Sequence, residues 1–117
     1  MKWIPLESVS QIDELIQKSH TNPILIFKHS TRCSISSAAL DRIQRKWEPD
    51  EMSHYEVYFL DLIQYREVSN AVSEKLQVYH QSPQAIVLFG GKVVYEDSHF
   101  SISYDEIRSV PATKLAE

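Results

Sequence analysis

The sequence predicts an α/β protein: a three-layer α/β/α domain with a central mixed sheet, finished by a C-terminal β-hairpin and a helix. Three observations predict it. Two all-apolar runs, Ile24-Leu25-Ile26-Phe27 and Ala85-Ile86-Val87-Leu88-Phe89, read as strands buried on both faces, as in the middle of a sheet. Segments of helical period alternate with strand-like runs, which asks for parallel strands joined by crossover helices. The two glycines of the chain, Gly90-Gly91, stand together between two strand-like runs. Both positions can take positive φ, so they mark a hairpin turn that adds an antiparallel edge.

Residues 3–6 read as a short first strand or an extended arm. Ser10 with Asp13 three positions on is a capping signature, and Ile12, Leu15 and Ile16 share one face of the helix that follows. This helix should end between Lys18 and His20, before the turn-like Thr21-Asn22-Pro23. The apolar strand 24–27 comes next. From 34 to 47 the pattern is helical, with Ile35, Ala39, Ile43 and Trp47 four apart and Leu40 widening the stripe. Pro49 and Asp50 stop it. The run Tyr55-Glu56-Val57-Tyr58-Phe59-Leu60-Asp61, rich in aromatic and β-branched residues, is the next strand. Residues 66–76 carry Val68, Ala71, Val72 and Leu76 near helical spacing. The strand 85–89 enters the hairpin and 92–96 returns from it. Residues 102–110 form a last short helix with Ile107 and Val110 on its apolar side; Pro111 is expected to end it and the tail to Glu117 to fray.

Length and composition set the bounds. The 117 residues are one domain, 1–117, with 43% hydrophobic residues, enough for a core without disulfides or metals. A single cysteine excludes an internal disulfide and fits a reducing, cytoplasmic setting. The formal charge is −4 with no dense basic block, which argues against nucleic acid and acidic membrane surfaces as partners. No apolar run reaches the roughly 20 residues of a membrane helix. The Met1–Leu6 stretch is short and broken by Pro5, so no signal peptide is expected. A Gly-rich phosphate loop is excluded by the glycine count. His20, His29, His54, His80 and His99 are scattered without paired ligand spacing, so no metal site is expected. Trp47, Phe59 and Phe89 read as core rather than as a binding platform.

The chemistry concentrates in His29-Ser30-Thr31-Arg32-Cys33-Ser34-Ile35-Ser36. Cys33, the sole cysteine, stands where a strand gives way to a helix. Backbone N–H groups at a helix start favour an anion, and the Arg32 cation stands beside it, so both favour the thiolate, the nucleophilic form. Ser36 can donate a hydrogen bond to that thiolate but cannot form a disulfide. Plainer readings stand alongside: Cys33 as a small inert core residue, Arg32 as a solvated loop residue, Ser36 as a first-turn serine bonding backbone, and His29 either tuning Cys33 or a partner or lying on the surface at a strand end. A Cys–His protease lacks a nameable oxyanion hole or third group.

Cys33 and Ser36 form a C-x-x-S pattern, and Ser82-Pro83 precedes the strand that enters the hairpin. Thioredoxin-like proteins place a redox motif at the first position and a cis-proline at the second. The wider wording, Phe27-Lys28-His29-Ser30-Thr31-Arg32-Cys33-Ser34-Ile35-Ser36-Ser37-Ala38-Ala39-Leu40 with Ser82-Pro83-Gln84, Tyr95 and Ser98-His99-Phe100-Ser101-Ile102, resembles the monothiol bacilliredoxin family over nearly the whole chain. The family pattern is T-C-P-I-S; here Ser34 replaces the proline and Arg32 precedes Cys33, departures that bear on helix-start rigidity and substrate choice.

The resemblance implies a thioredoxin-like fold and a cytoplasmic monothiol thiol–disulfide oxidoreductase of the stress response. Its substrates would be S-bacillithiolated proteins, with no cofactor bound and bacillithiol as thiol co-substrate, recycled by a low-molecular-weight thiol and its reductase. Cys33 would attack, with Ser36 in place of a resolving cysteine; Arg32, Ser34, Ser82 and Pro83 would line the substrate side, and a cis Pro83 would turn the Ser82 backbone toward the substrate. Two other classes stay open: a non-catalytic thioredoxin-like stress adaptor, and a thiol sensor or iron–sulfur carrier using Cys33.

Overall fold

The computed structural model describes the backbone of residues 1–116 and the side chains of residues 1–110. In chain order the described elements are β1 (Ile4–Pro5), α1 (Val9–Lys18), β2 (Ile24–His29), α2 (Ser34–Lys46), β3 (Glu56–Asp61), α3 (Arg66–Leu76), β4 (Gln84–Phe89), β5 (Lys92–Ser98) and α4 (Tyr104–Ala116), with one 3-10 turn at His99–Ser101. The strands form one sheet in the order β1-β3-β2-β4-β5. β1 and β2 run parallel to β3, whereas β4 runs antiparallel to both β2 and β5.

β2 is central because its sequence leaves it no wet face. All six of its residues are buried. Leu25 and Phe27 point to one side of the sheet, where they meet Ala39 and Ile43 of α2 and Tyr104 and Ile107 of α4. Ile24 and Ile26 point to the other, against Ile12 and Leu15 of α1 and Val68 and Val72 of α3. The period-2 alternation of a strand thus feeds two cores, one per layer of helices. The expected α/β/α sandwich with a mixed sheet is what the chain adopts.

The glycine hairpin also forms. Gly90 and Gly91 have φ of 66° and 78°, values open to glycine at little cost. The turn is docked as well as shaped. The Gly90 N–H donates to the Ser19 carbonyl at 2.8 Å, the Gly91 N–H to the Ser19 hydroxyl at 2.9 Å, and a Cβ on Gly91 would lie 2.7 Å from the His20 ring.

Several expectations change. α1 is capped by Ser8, not Ser10: the Gln11 side chain accepts the Ser8 N–H at 3.0 Å and the Glu7 N–H at 2.8 Å, so the capping box lies two residues earlier. Ile35 is exposed, and Ser36 takes the buried place in the first turn of α2. β2 continues through Lys28 and His29 because both side chains find polar partners inside the fold. The last helix starts at Tyr104, not Ile102, with the Ser103 hydroxyl accepting the Glu106 N–H at 3.3 Å.

Pro111 does not end α4, which runs on to Ala116. A proline inside a helix leaves the carbonyl four residues back without its donor. That carbonyl is Ile107, and the Tyr55 hydroxyl donates to it at 2.6 Å from the strand side. Burial raises the Tyr55 pKa well above its ordinary value, which keeps it a donor. Tyr55→Phe is therefore expected to destabilise the protein by about 1–3 kcal/mol, the range for a buried carbonyl left unpaired. Denaturant melts would show the loss, and amide exchange would place it in α4. An unchanged midpoint would mean that Ile107 finds another donor. Glu117, the end of the tail expected to fray, lies outside the described residues.

Candidate active site

The C-terminal ends of β2 and β3 and the N-terminal end of β4 share one end of the sheet, since His29 pairs with Asp61 and Lys28 with Gln84. The chain leaves β2 at His29, crosses residues 30–32 and enters α2 with Cys33 as N-cap. The Cys33 N–H donates to the Ser30 carbonyl at 3.2 Å, and its carbonyl accepts the Ser37 N–H at 3.1 Å. The backbone is thus held on both sides of a free, half-buried thiol. An N-cap side chain sits where the first helical turn presents N–H groups that have no partner within the helix. The sulfur there is partly open to solvent and makes no side-chain cap hydrogen bond to that turn.

Ser36, one turn on, is fully buried. Its hydroxyl accepts the Ser30 N–H at 3.0 Å and lies 2.7 Å from His29 Nδ1. With His29 neutral and Nδ1 an acceptor, the hydroxyl donates to the ring while accepting from Ser30, and all three groups are satisfied. Ser36 therefore brackets the turn that carries Cys33 to the end of β2. It does more than bond local backbone, and its partners in this arrangement are His29 and Ser30 rather than the sulfur.

His29 is not a surface residue: it is 6% exposed and packs on Phe59 with ring centroids 5.4 Å apart. Burial lowers its pKa, and the Asp61 carboxylate pulls the other way. Arg32 and Ser34, the chain neighbours of Cys33, are exposed. The Ser82–Pro83 peptide bond is cis. Pro83 is buried, and its carbonyl accepts the His99 N–H at 3.1 Å. It directly precedes Gln84, the partner of Lys28, and so belongs to the sheet end that carries His29. The Ser82 hydroxyl is buried without a hydrogen-bond partner. The structure thus joins Cys33, Ser36 and His29 through one turn, places Pro83 at the same end of the sheet, and leaves Arg32 and Ser34 exposed.

A family model of the monothiol bacilliredoxin BrxC matches residues 4–107. The chain belongs to the monothiol bacilliredoxin family. Among solved structures, a protein described as having a thioredoxin fold is 28% identical at a TM-score of 0.78, covering 92% of each chain. Thioredoxin of Fasciola hepatica is 16% identical with a TM-score of 0.67, covering 93% of this chain and 96% of that one. Thioredoxin of Trypanosoma brucei brucei is 16% identical with a TM-score of 0.69, covering 99% and 93%. The fold is thioredoxin-like, and the bacilliredoxin role is of thiol-oxidoreductase type. Among the described residues no group of three or more His, Cys, Asp or Glu side chains is placed to hold a metal ion. No helix there is long and apolar enough to cross a membrane.

The same end of the bacilliredoxin sheet also carries a residue that strand periodicity alone does not assign to the interior. Lys28 is fully buried on the α3 side of the sheet. Its Nζ lies 2.9 Å from His80 Nδ1, 3.4 Å from the Ser73 hydroxyl and 3.5 Å from the Ser69 carbonyl. Burial pushes it down to about 8. The available signal was parity: Lys28 shares the face of Ile24 and Ile26, so a strand prolonged by two residues carries it inward.

His29 gives the site a pH signature. Its folded-state pKa lies below the ordinary 6.5. Between the two values the unfolded chain binds more protons than the folded one, so stability rises with pH across that window. The contribution is complete above about pH 6.5 and is lost as pH falls through the folded value. His29→Asn, which keeps an acceptor for Ser36, is expected to flatten the fall in denaturant midpoint between pH 7.5 and 5, leaving the slope due to His80, whose pKa is lowered in the same way. Parallel curves for both proteins would assign the acid sensitivity elsewhere.

Proposed function

We propose that this protein removes bacillithiol from mixed disulfides on oxidised proteins in the cytoplasm. The Cys33 thiolate attacks the bacillithiol sulfur. The S–S bond to the substrate breaks, the substrate cysteine leaves as thiolate and is protonated by solvent, and a Cys33–bacillithiol disulfide remains. A second low-molecular-weight thiolate then attacks that adduct, freeing Cys33 and forming a small-molecule disulfide for a reductase to recycle. Both steps are thiol–disulfide exchanges and need no bound cofactor.

One observation carries the reading: the free thiol is half-buried at the start of α2, and the residue one turn on is a buried serine. Such a site can accept one thiol and has no internal partner with which to expel it. Arg32 and Ser34, exposed on either side of Cys33 in the chain, with Ser82 and Pro83, are the residues that would meet substrate. In this reading the backbone of Ser82, which leads into β4, is where a substrate segment would pair like an extra strand.

The test is direct. Reduced protein is incubated with a bacillithiolated protein, and both masses are followed. A bacillithiol adduct on Cys33 with matching loss from the substrate supports the reading. No adduct with unchanged substrate overturns it.

A further inference from the structure

Among the described residues, Lys28 is the sole lysine, arginine, aspartate or glutamate that is buried. It has no carboxylate partner; its contacts are an imidazole nitrogen, a hydroxyl and a helix carbonyl. An ammonium ion enclosed in this way is costly, and an apolar side chain of the same length would avoid the cost. The residue must return that cost elsewhere.

Its geometry shows where. Lys28 pairs in register with Gln84. Lys28 Nζ holds His80 at 2.9 Å, and Gln84 Nε2 donates to the Tyr79 carbonyl at 2.9 Å. Two paired strand positions thus grip consecutive residues of one loop, just before the cis Ser82–Pro83 bond. As an ammonium donor, Lys28 also fixes the ring: Nδ1 must accept, so the neutral His80 carries its proton on Nε2. His80 is exposed.

We propose that Lys28 is a positioning residue for thiol transfer, clamping the 79–83 loop at the end of the sheet from which the chain runs to Cys33 and setting the His80 tautomer that offers an Nε2–H donor to the incoming mixed disulfide. The proposal rests on the transfer reaction described above and names the residues that hold its substrate side. The charged and titratable surroundings come from every packed element. α3 supplies Arg66, whose charge acts on His80; the loop supplies His80; β5 supplies the Glu96 carboxylate, held at 2.7 Å by Gln84 Nε2. The clamp is complete when Lys28 is charged and His80 neutral. Burial keeps Lys28 down to about 8, and burial with the Lys28 and Arg66 charges keeps His80 below 6.5. Acid places a second cation against Lys28, and base removes the ammonium, so transfer peaks between those limits.

The experiment compares wild type, Lys28→Met and His80→Asn. Transfer from a bacillithiolated protein to Cys33 is followed by mass from pH 5.5 to 9, each rate divided by the rate of Cys33 alkylation by iodoacetamide at the same pH. Alkylation reports the thiolate alone, so the ratio isolates positioning. The wild-type ratio is expected to be bell-shaped. Lys28→Met should lose about tenfold or more at pH 7 and show a flat profile, as misplacing a substrate-side group does, while its denaturant midpoint rises. His80→Asn keeps an acceptor at the Nδ1 position but has no Nε2–H; it should lose rate similarly and lack the acid limb. Wild-type transfer matched by Lys28→Met at every pH overturns this proposal and leaves the transfer reaction standing. A lowered midpoint with alkylation and transfer falling together makes Lys28 a structural prop and also overturns it. No adduct on the wild type overturns the transfer reaction and this proposal with it.

Discussion

Cys33→Ser is expected to reduce transfer to the uncatalysed background. A serine hydroxyl is not ionised at neutral pH and cannot form a disulfide, and the chain has no second cysteine to take over. The fold should survive intact, because position 33 is the N-cap of α2 and serine is among the preferred N-cap residues. The expected pair of results is an equal or higher denaturant midpoint with no adduct by mass. Measurable transfer in this variant would mean that Cys33 is not the nucleophile. A lowered midpoint would mean that the thiol contributes packing that oxygen cannot replace.

Ser36→Cys is expected to change the second half of the cycle. In the wild type an adduct on Cys33 waits for an external thiol. A cysteine one turn on could attack it internally, at the high effective concentration of an intramolecular reaction. Bacillithiol would then be released without added thiol, and the protein would end as an internal disulfide, two hydrogens lighter. The exchange carries a structural cost. The Ser36 hydroxyl holds the Ser30 N–H and His29 Nδ1 inside the fold, and a thiol is a weaker partner for both. Losing them should cost about 1–3 kcal/mol. Ser36→Ala is the control: the same loss of stability with no internal disulfide. An adduct that persists in Ser36→Cys as long as in the wild type would show that the buried position cannot reach the sulfur.

The value of the Ser36 variants lies in separating two roles that one residue combines. The absence of a second thiol at position 36 is chemistry, and it was legible in the C-x-x-S spacing. The bracket to His29 is architecture. It was not legible, because it joins α2 to the end of β2 across a turn, and neither element's periodicity reveals which polar side chains face each other. The same distinction applies at Lys28. A charged residue after an apolar run reads as the end of a strand. It continues the strand because Ser69, Ser73 and His80, far along the chain, converge on its ammonium group. Pro111 is the matching case for helices. Its local effect is to stop a helix, and α4 passes through it where Tyr55, remote in sequence, supplies the missing donor.

What the sequence determined by itself is whatever depends on local chemistry. Apolar runs chose the buried strands, helical spacing chose the crossovers, and two adjacent glycines chose the hairpin. A lone cysteine at a strand-to-helix junction marked the candidate site. These follow from backbone sterics and hydrophobic burial, which act over a few residues. Left to the tertiary packing is the disposition of buried polar groups: His29 inward rather than on the surface, Ser36 toward His29, and Lys28 against His80. The physical reason is that burying a polar group is costly unless partners arrive, and for Lys28 the partners come from residues up to 52 positions away.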